Sequence, residues 1–431
     1  MPRSLKYGYF SLGPREKLMY VLCVLTKTGT QMPDYLTTVD MDPKSPTYCQ
    51  VIHWLQMPYI NDELHFMGWN TCSSTLGDTK KRNQLVIPCF NSSRIYVMET
   101  ETDPQAPCLF QVIEPREVFC KTKVASLLSP RCLGRGEVMI SSLGDLFGNG
   151  KGTTGFIFLV DMETWEAPLG FDFWYKPRHN VLFSTELVHP KFAVDGFKPE
   201  LLRKGYYGRC LNVWDWTTHC LVESIDMGED TVPLAVRFLH NPDSSHSFVS
   251  CCFDGSIHHI YKEEDGTWTT EKVIQIPDKT VTGWHLPEMP AFSTYFIISL
   301  DDRFLYMSNW FHVFVGGSIY KGGVVTVIKD EELDCQPDLL GRKVYGGPYM
   351  LKLSLDGKRL YVTNGLYIQW DEQFYPQQQR DGSVMLKIDV DTKKAGLCVN
   401  PNFLVDFGKE LCPAHAHEMI YPGDCTSDIW V

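Results

Sequence analysis

No stretch of this 431-residue chain approaches the roughly twenty consecutive apolar residues that a membrane-spanning helix needs. The longest apolar runs, Met19 to Leu25 and Phe156 to Val160, are short, which leaves only a peripheral membrane contact open. Arg3 and Lys6 lead into Gly13, Pro14, Arg15 and Glu16 rather than an apolar segment, so the N-terminus does not read as a secretory signal. Positive charge is also scarce. Lys and Arg total 40 against 52 Asp and Glu, a formal charge of −12, with no compensating basic run. Such a chain repels phosphate backbones, which argues against a nucleic-acid partner. Long helical periodicity is scarce too, which argues against the α-rich fold classes. The 15 cysteines are odd in number and scattered, unlike the dense, even framework of a secreted disulfide scaffold. Reduced thiols in the cytosol are the expectation.

What remains is a composition for a large β core, 44% hydrophobic and 13% aromatic. Short β-branched or aromatic runs bounded by turn residues recur. They include Leu85 to Ile87, Arg94 to Val97, Glu137 to Ile140, Gly155 to Val160, Cys210 to Trp214, Phe248 to Cys252 and Ser256 to Tyr261. One short helix is expected over Lys198 to Lys204, ending at Gly205. Two segments repeat openly. Ser299-Leu-Asp-Asp-Arg-Phe-Leu-Tyr-Met-Ser-Asn309 and Ser354-Leu-Asp-Gly-Lys-Arg-Leu-Tyr-Val-Thr-Asn364 each read strand, Asp-rich turn, strand. Asp254-Gly255 is a weaker third copy. A spacing of about fifty residues matches one four-stranded blade, and helices do not intervene. The fold class expected is all-β, a β-propeller.

Local catalytic motifs are sparse. Gly148-Asn-Gly-Lys-Gly-Thr153 lacks the spacing of a phosphate loop, and a strand follows it, so a glycine-rich turn is the better reading. Cys72 sits in a polar loop suited to a reactive thiolate, but position 75 is Thr, so no Cys-x-x-Cys pair forms. Cys251 and Cys252 are adjacent on a strand and should face opposite sides. His65, His179, His240, His312, His415 and His417 lie near loops or strand ends, with no HExxH pair among them. A propeller gathers such residues from separate blades around its channel, where imidazoles can ligate a metal.

Several motifs together resemble the selenium-binding protein family, also known as the methanethiol oxidases. They are Asp42-Pro-Lys-Ser-Pro46, Gly68-Trp-Asn-Thr-Cys-Ser-Ser74, Gly136-Glu-Val-Met-Ile-Ser-Ser-Leu-Gly-Asp145, Phe171-Asp-Phe-Trp-Tyr175, Arg178-His-Asn180, Arg237-Phe-Leu-His-Asn-Pro242 and Asp424-Cys-Thr-Ser-Asp-Ile-Trp430. The resemblance runs from about Gly13 to the C-terminus, with residues 1–12 a divergent tail on a single domain, 1–431. It implies a seven-bladed propeller and a copper-dependent oxidation of methanethiol by oxygen and water, yielding formaldehyde, hydrogen sulfide and hydrogen peroxide. It implies selenium binding through Cys72, and His65, His179, His312 and His417 as metal ligands, because they stand where the family has histidine. It also implies a cytosolic protein, found in the nucleus and loosely on membranes. The alternative within the family is a non-catalytic selenium-binding propeller serving intra-Golgi transport. The chain departs from the family pattern in that Phe66, Leu128 and Arg131 occupy histidine positions and Thr75 a cysteine position. The family's N-terminal cysteine pair is absent from residues 1–12. Stretches are also missing after Glu166 (about one strand and turn) and after His312 (most of a hairpin), which would leave one or two blades incomplete.

Overall fold

The computed structural model describes residues 14–25, 28–72, 82–133, 136–150, 154–158, 164–167, 169–193, 196–312, 316–319, 323–328, 343–394 and 396–430, with backbone alone at 154–158 and 164–167. The expectations on residues 1–12, on Ser73, Ser74 and Thr75, on Lys151 to Thr153, and on the join after His312 fall outside the described residues.

The fold is mostly β, built from antiparallel sheets with few helices. The first sheet joins His415–Ile420, near the end of the chain, to Leu18–Val24, Tyr35–Asp40 and Val51–Gln56. The second runs Gly68–Trp69, Gln84–Pro88, Ile95–Glu99 and Cys108–Ile113. The third contains Ala125–Cys132, Val138–Gly144, Thr154–Phe158 and Thr164–Ala167. The fourth is Phe173–Lys176, Val181–Ser184, Cys210–Asp215 and Leu221–Asp226, and the fifth Pro233–Phe238, Ser247–Cys251, Ser256–Lys262 and Trp268–Gln275. The sixth, among the described residues, holds Ser293–Ile298 and Leu305–Asn309, followed by the seventh, Leu351–Leu353, Arg359–Thr363, Val384–Asp391 and Gly396–Asp406. A small sheet of Glu288–Met289, Lys279–Thr282 and Thr326–Val327 lies beside this series.

Burial grades across the sheets. His415–Ile420, Phe173–Lys176, Pro233–Phe238, Ser293–Ile298 and Leu351–Leu353 are buried at every residue. Leu221–Asp226 and Trp268–Gln275, at the far edges, are almost wholly exposed or half-exposed. A strand covered on both faces reads as a continuous apolar run, as Met19-Tyr-Val-Leu-Cys-Val24 does. Contacts pass from each sheet to the next and return to the first. Tyr20 edges Trp69 between the first two, Gly68–Trp69 packs on Ala125–Cys132, and Arg131 pairs with Asp172 just before the fourth. Phe173–Lys176 then meets Pro233–Phe238, which meets Ser293–Ile298, which meets Leu351–Leu353, which meets His415–Ile420.

The repeated segments are the same hairpin. Ser299 and Ser354 each donate their hydroxyl to the aspartate two residues on, at 2.6 and 2.7 Å. Each hydroxyl also accepts a backbone N–H from across the turn, from Phe304 and from Arg359, at 3.0 Å. Gly357 takes φ 68° in this turn, while Asp302 takes φ 57° in the other, a conformation aspartate tolerates better than most residues. Asp254 repeats the device on the Ser256 hydroxyl at 2.7 Å.

Two expectations are corrected here. The third sheet has all four strands, so the stretch missing after Glu166 does not cost a strand. Cys72 and Cys132 form a disulfide with a Cα–Cα distance of 5.4 Å, so the expectation of reduced thiols throughout fails for this pair. The helix at 198–204 is found as Pro199–Arg203. Helices over Pro115–Thr122, Ile368–Phe374 and Pro376–Asp381 are additional, two of them started by a proline whose missing N–H costs nothing there. No described helix is long and apolar enough to cross a membrane.

Candidate active site

His415–Ile420 pairs with Leu18–Val24 through a register shift. Ala416 faces Cys23 and Met419 faces Val21, so His417 and Glu418 together span the place opposite Leu22. A bulge of this kind re-aims side chains. His417 is buried, and its ring lies 4.0 Å from that of His65. His65 follows Leu64, whose N–H donates to Asp34 at 3.0 Å and which bridges to Cys89, so its segment is pinned on both sides. Gly365 completes the arrangement by lying against the carbonyl of Ala416, where a Cβ would stand 2.6 Å from that oxygen. This close approach brings Tyr367 to within 6.1 Å of His65, ring to ring. Tyr349 closes the other side, 4.9 Å from His417.

The two imidazoles are neutral. Burial pushes His65 down to about 3. Burial, with His65 adding to it, pushes His417 well below the ordinary histidine range. The main chain at Leu366 and His65 lies within hydrogen-bonding reach of the His417 ring and pulls its pKa the other way without overcoming burial. Beside the pair is a cavity of about 60 Å³ lined by His65, Leu128, Cys252, Tyr349, Tyr367 and Trp370, among other apolar groups. That is room for a molecule of very few heavy atoms. Burial also holds the Cys252 thiol well above its usual range, hence protonated. Cys251 faces the opposite way into a separate apolar cluster, as expected for neighbours on a strand.

Of the four histidines expected as ligands, His65 and His417 come together. His179 ends a short 3-10 turn and its Nε2 lies 3.0 Å from the carbonyl of Asp243. His312 places Nε2 2.8 Å from the carbonyl of Met289, and burial pushes it down to about 4. Neither is in ring contact with the central pair. Among the described residues no three His, Cys, Asp or Glu side chains are placed to hold one metal ion. Phe66 packs edge-on against both rings, 4.8 Å from His65 and 5.5 Å from His417, and Leu128 lines the cavity. Two of the three positions where the family pattern has histidine therefore converge here as apolar side chains. The third, Arg131, turns instead to Asp172 at 2.9 Å.

Asp172 is buried between Arg131 and Arg237. Burial alone would raise its pKa, but the two guanidiniums overcome it and hold the carboxyl below the usual range. Lys352 is buried against Asp424 at 3.1 Å and Glu418 at 3.8 Å. Burial pushes Glu418 up to about 7, against the pull of Lys352. Sequence reasoning missed this network and the role of Tyr349.

Fold and site define a class, a mostly-β protein whose antiparallel sheets converge on a buried histidine pair and a small apolar cavity. Residues 9–431 match the family described as 56 kDa selenium-binding protein, SBP56. The chain belongs to that family. It is 55% identical to a methanethiol oxidase of Xenopus tropicalis and 54% to one of Homo sapiens, covering 97% of this chain and 96% of each relative. A selenium-binding protein 2 of Mus musculus is 52% identical. The Xenopus alignment spans 456 positions, more than the 431 residues here, so that relative carries stretches this chain lacks. Among solved structures, a hypothetical selenium-binding protein from Sulfolobus tokodaii superposes with a TM-score of 0.84 at 33% identity, covering 97% of this chain and 96% of that one.

Proposed function

We propose that this chain oxidises methanethiol in the cavity beside His65 and His417. Methanethiol, oxygen and water become formaldehyde, hydrogen sulfide and hydrogen peroxide; the methyl carbon gives up two electrons and oxygen takes them. The observation that carries the reading is a neutral, desolvated imidazole pair of which His65 lines a cavity sized for a few heavy atoms and His417 lies behind it, in a chain whose relatives are named methanethiol oxidases. The apolar lining favours the methyl group and excludes water, while Tyr349 and Tyr367 fix the two rings in place. The protonated Cys252 adds no charge to the cavity. The uncharged state of both rings suits copper, which prefers imidazole, so His65 and His417 are the residues that would hold it. Copper, when bound, supplies the redox cycling between thiol and oxygen. Phe66 and Leu128 contribute no donor, so the affinity should be lower than a site richer in histidine would give.

Selenium binding belongs to the same reading, with Cys72 as its ligand once the disulfide to Cys132 is opened. So does the seven-bladed propeller. Its support is the gradation from buried to exposed strands, the shared sheet of first and last strands, and the return of sheet contacts to their start. The cytosol, where small thiols and oxygen meet, is the location proposed. The test is formaldehyde release from methanethiol by copper-supplied protein, compared with Leu128→Phe, which fills the cavity without touching a histidine. Turnover in the parent and a rise in KM or loss of rate in the variant support the reading. Equal turnover in both refutes it.

A further inference from the structure

Two separate sets of ring contacts bound the cavity beside the histidines. His65 makes its ring contacts with Phe66, Phe90, Tyr367 and His417. Phe292, which lines the same cavity, makes its own with Phe253, Trp310, Phe311 and Trp370 at 5.1 to 5.6 Å. The two sets share no ring, so His65 and Phe292 wall different parts of the space. Phe292 takes φ 56°, a left-handed conformation that is a steric outlier for so bulky a side chain. It is held there from both sides. Its carbonyl accepts the N–H of Trp310 at 3.0 Å, and the next residue, Ser293, donates its N–H to the carbonyl of Cys252 at 3.2 Å. Val232, at φ 51°, repeats the strain two residues ahead of Leu234, another wall residue. Unfavourable backbone that its surroundings over-determine points to a function for the side chain it places. Buried and packed against four other rings, Phe292 is a wall that yields little to a ligand.

We propose that Phe292 is the specificity-determining residue of this site, the rigid wall that restricts it to the shortest alkyl thiol. The inference rests on the proposed oxidase reading for the direction in which the substrate lies. Sulfur turns to the histidine end, where the metal would be held, so the alkyl group points away from His65 and into the part of the cavity that Phe292 closes. With about 60 Å³ in all, a second carbon has to be placed against that ring. On apolar transfer alone, the extra methylene of ethanethiol would favour it about fourfold over methanethiol. An unyielding wall reverses the preference, to about tenfold or more in favour of methanethiol.

The experiment follows the thermal midpoint of copper-supplied protein, kept free of oxygen, against added methanethiol and added ethanethiol, and converts each rise to a dissociation constant. Expected is binding of methanethiol about tenfold or more tighter in the parent, and at least parity for ethanethiol in Phe292→Leu, whose side chain is shorter. Phe292→Met, unbranched and flexible, gives the same readout should the leucine variant not fold. Phe90→Leu trims the wall on the His65 side and should keep the parent's ratio. A parent without the preference for methanethiol, the parent's ratio in both Phe292 variants, or an equal gain for ethanethiol in Phe90→Leu overturns the proposal. Aldehyde release is then read from the same samples in air. Selective binding without turnover would count against the oxidase reading alone.

Discussion

Neutral imidazoles at the centre predict a specific acid sensitivity. His65 has a folded-state pKa of about 3, set by burial, against about 6.5 in the unfolded chain. Its pKa is depressed by folding, so below 6.5 the unfolded state binds the extra proton. The stability His65 contributes is complete above that value and is lost as pH falls from 6.5 towards 3. Each pH unit in that window costs about 1.4 kcal/mol, so from pH 7 to pH 5 the loss is about 2 kcal/mol. Glu418 opposes this over the same range. Burial raises its folded pKa to about 7, so the folded state holds a proton there that the unfolded state sheds, and stability is gained as pH falls from 7. The wild-type slope alone therefore does not isolate His65; comparison with His65→Gln does. Urea denaturation of chelator-treated protein at pH 7 and pH 5 should show the variant losing about 2 kcal/mol less than the parent. Identical pH dependence in the two would mean that His65 is not a desolvated neutral imidazole, and the site description would fail.

Other perturbations probe the surroundings. Asp172→Asn leaves Arg131 and Arg237 as uncompensated buried charges and should cost about 3–5 kcal/mol, read as a lower thermal midpoint. Reducing the Cys72–Cys132 disulfide opens a loop with a sequence separation of 60 and should cost about 4 kcal/mol of unfolding free energy. Phe66→His with Leu128→His places two further imidazoles at the cavity, and should raise the copper retained per chain after dialysis against a chelator. Phe292→Ala removes a ring packed at 5.1 to 5.6 Å against Phe253, Trp310, Phe311 and Trp370, and should cost about 3–5 kcal/mol by the same thermal assay.

Much of the fold was legible because strands bounded by turn residues declare themselves locally. Each of the seven runs read as strands overlaps one, and the Ser-x-Asp hairpins were visible as repeats before their hydrogen bonds were. The helices at Ile368–Phe374 and Pro376–Asp381 were not, because Pro376 interrupts the periodicity and splits one signal into two short ones. Nor could residue spacing pair His65 with His417, which come from opposite ends of the chain and meet only because the last strand completes the first sheet. The family resemblance supplied both residues, but it grouped them with His179 and His312, which bond to main-chain carbonyls elsewhere. The disulfide had no signal: an odd cysteine count and scattered positions say nothing about which two will meet. Glu418 and Asp172 stayed invisible for a similar reason, since the charges that tune them come from other sheets.

The central claim is that the His65–His417 pair is where methanethiol reacts. The most direct test measures formaldehyde, sulfide and peroxide together from copper-supplied parent protein and from His417→Phe, which keeps the packing against Tyr349 and Phe66. The account predicts all three products in equal amounts from the parent and none above background from the variant. Undiminished products from a folded His417→Phe protein would contradict it.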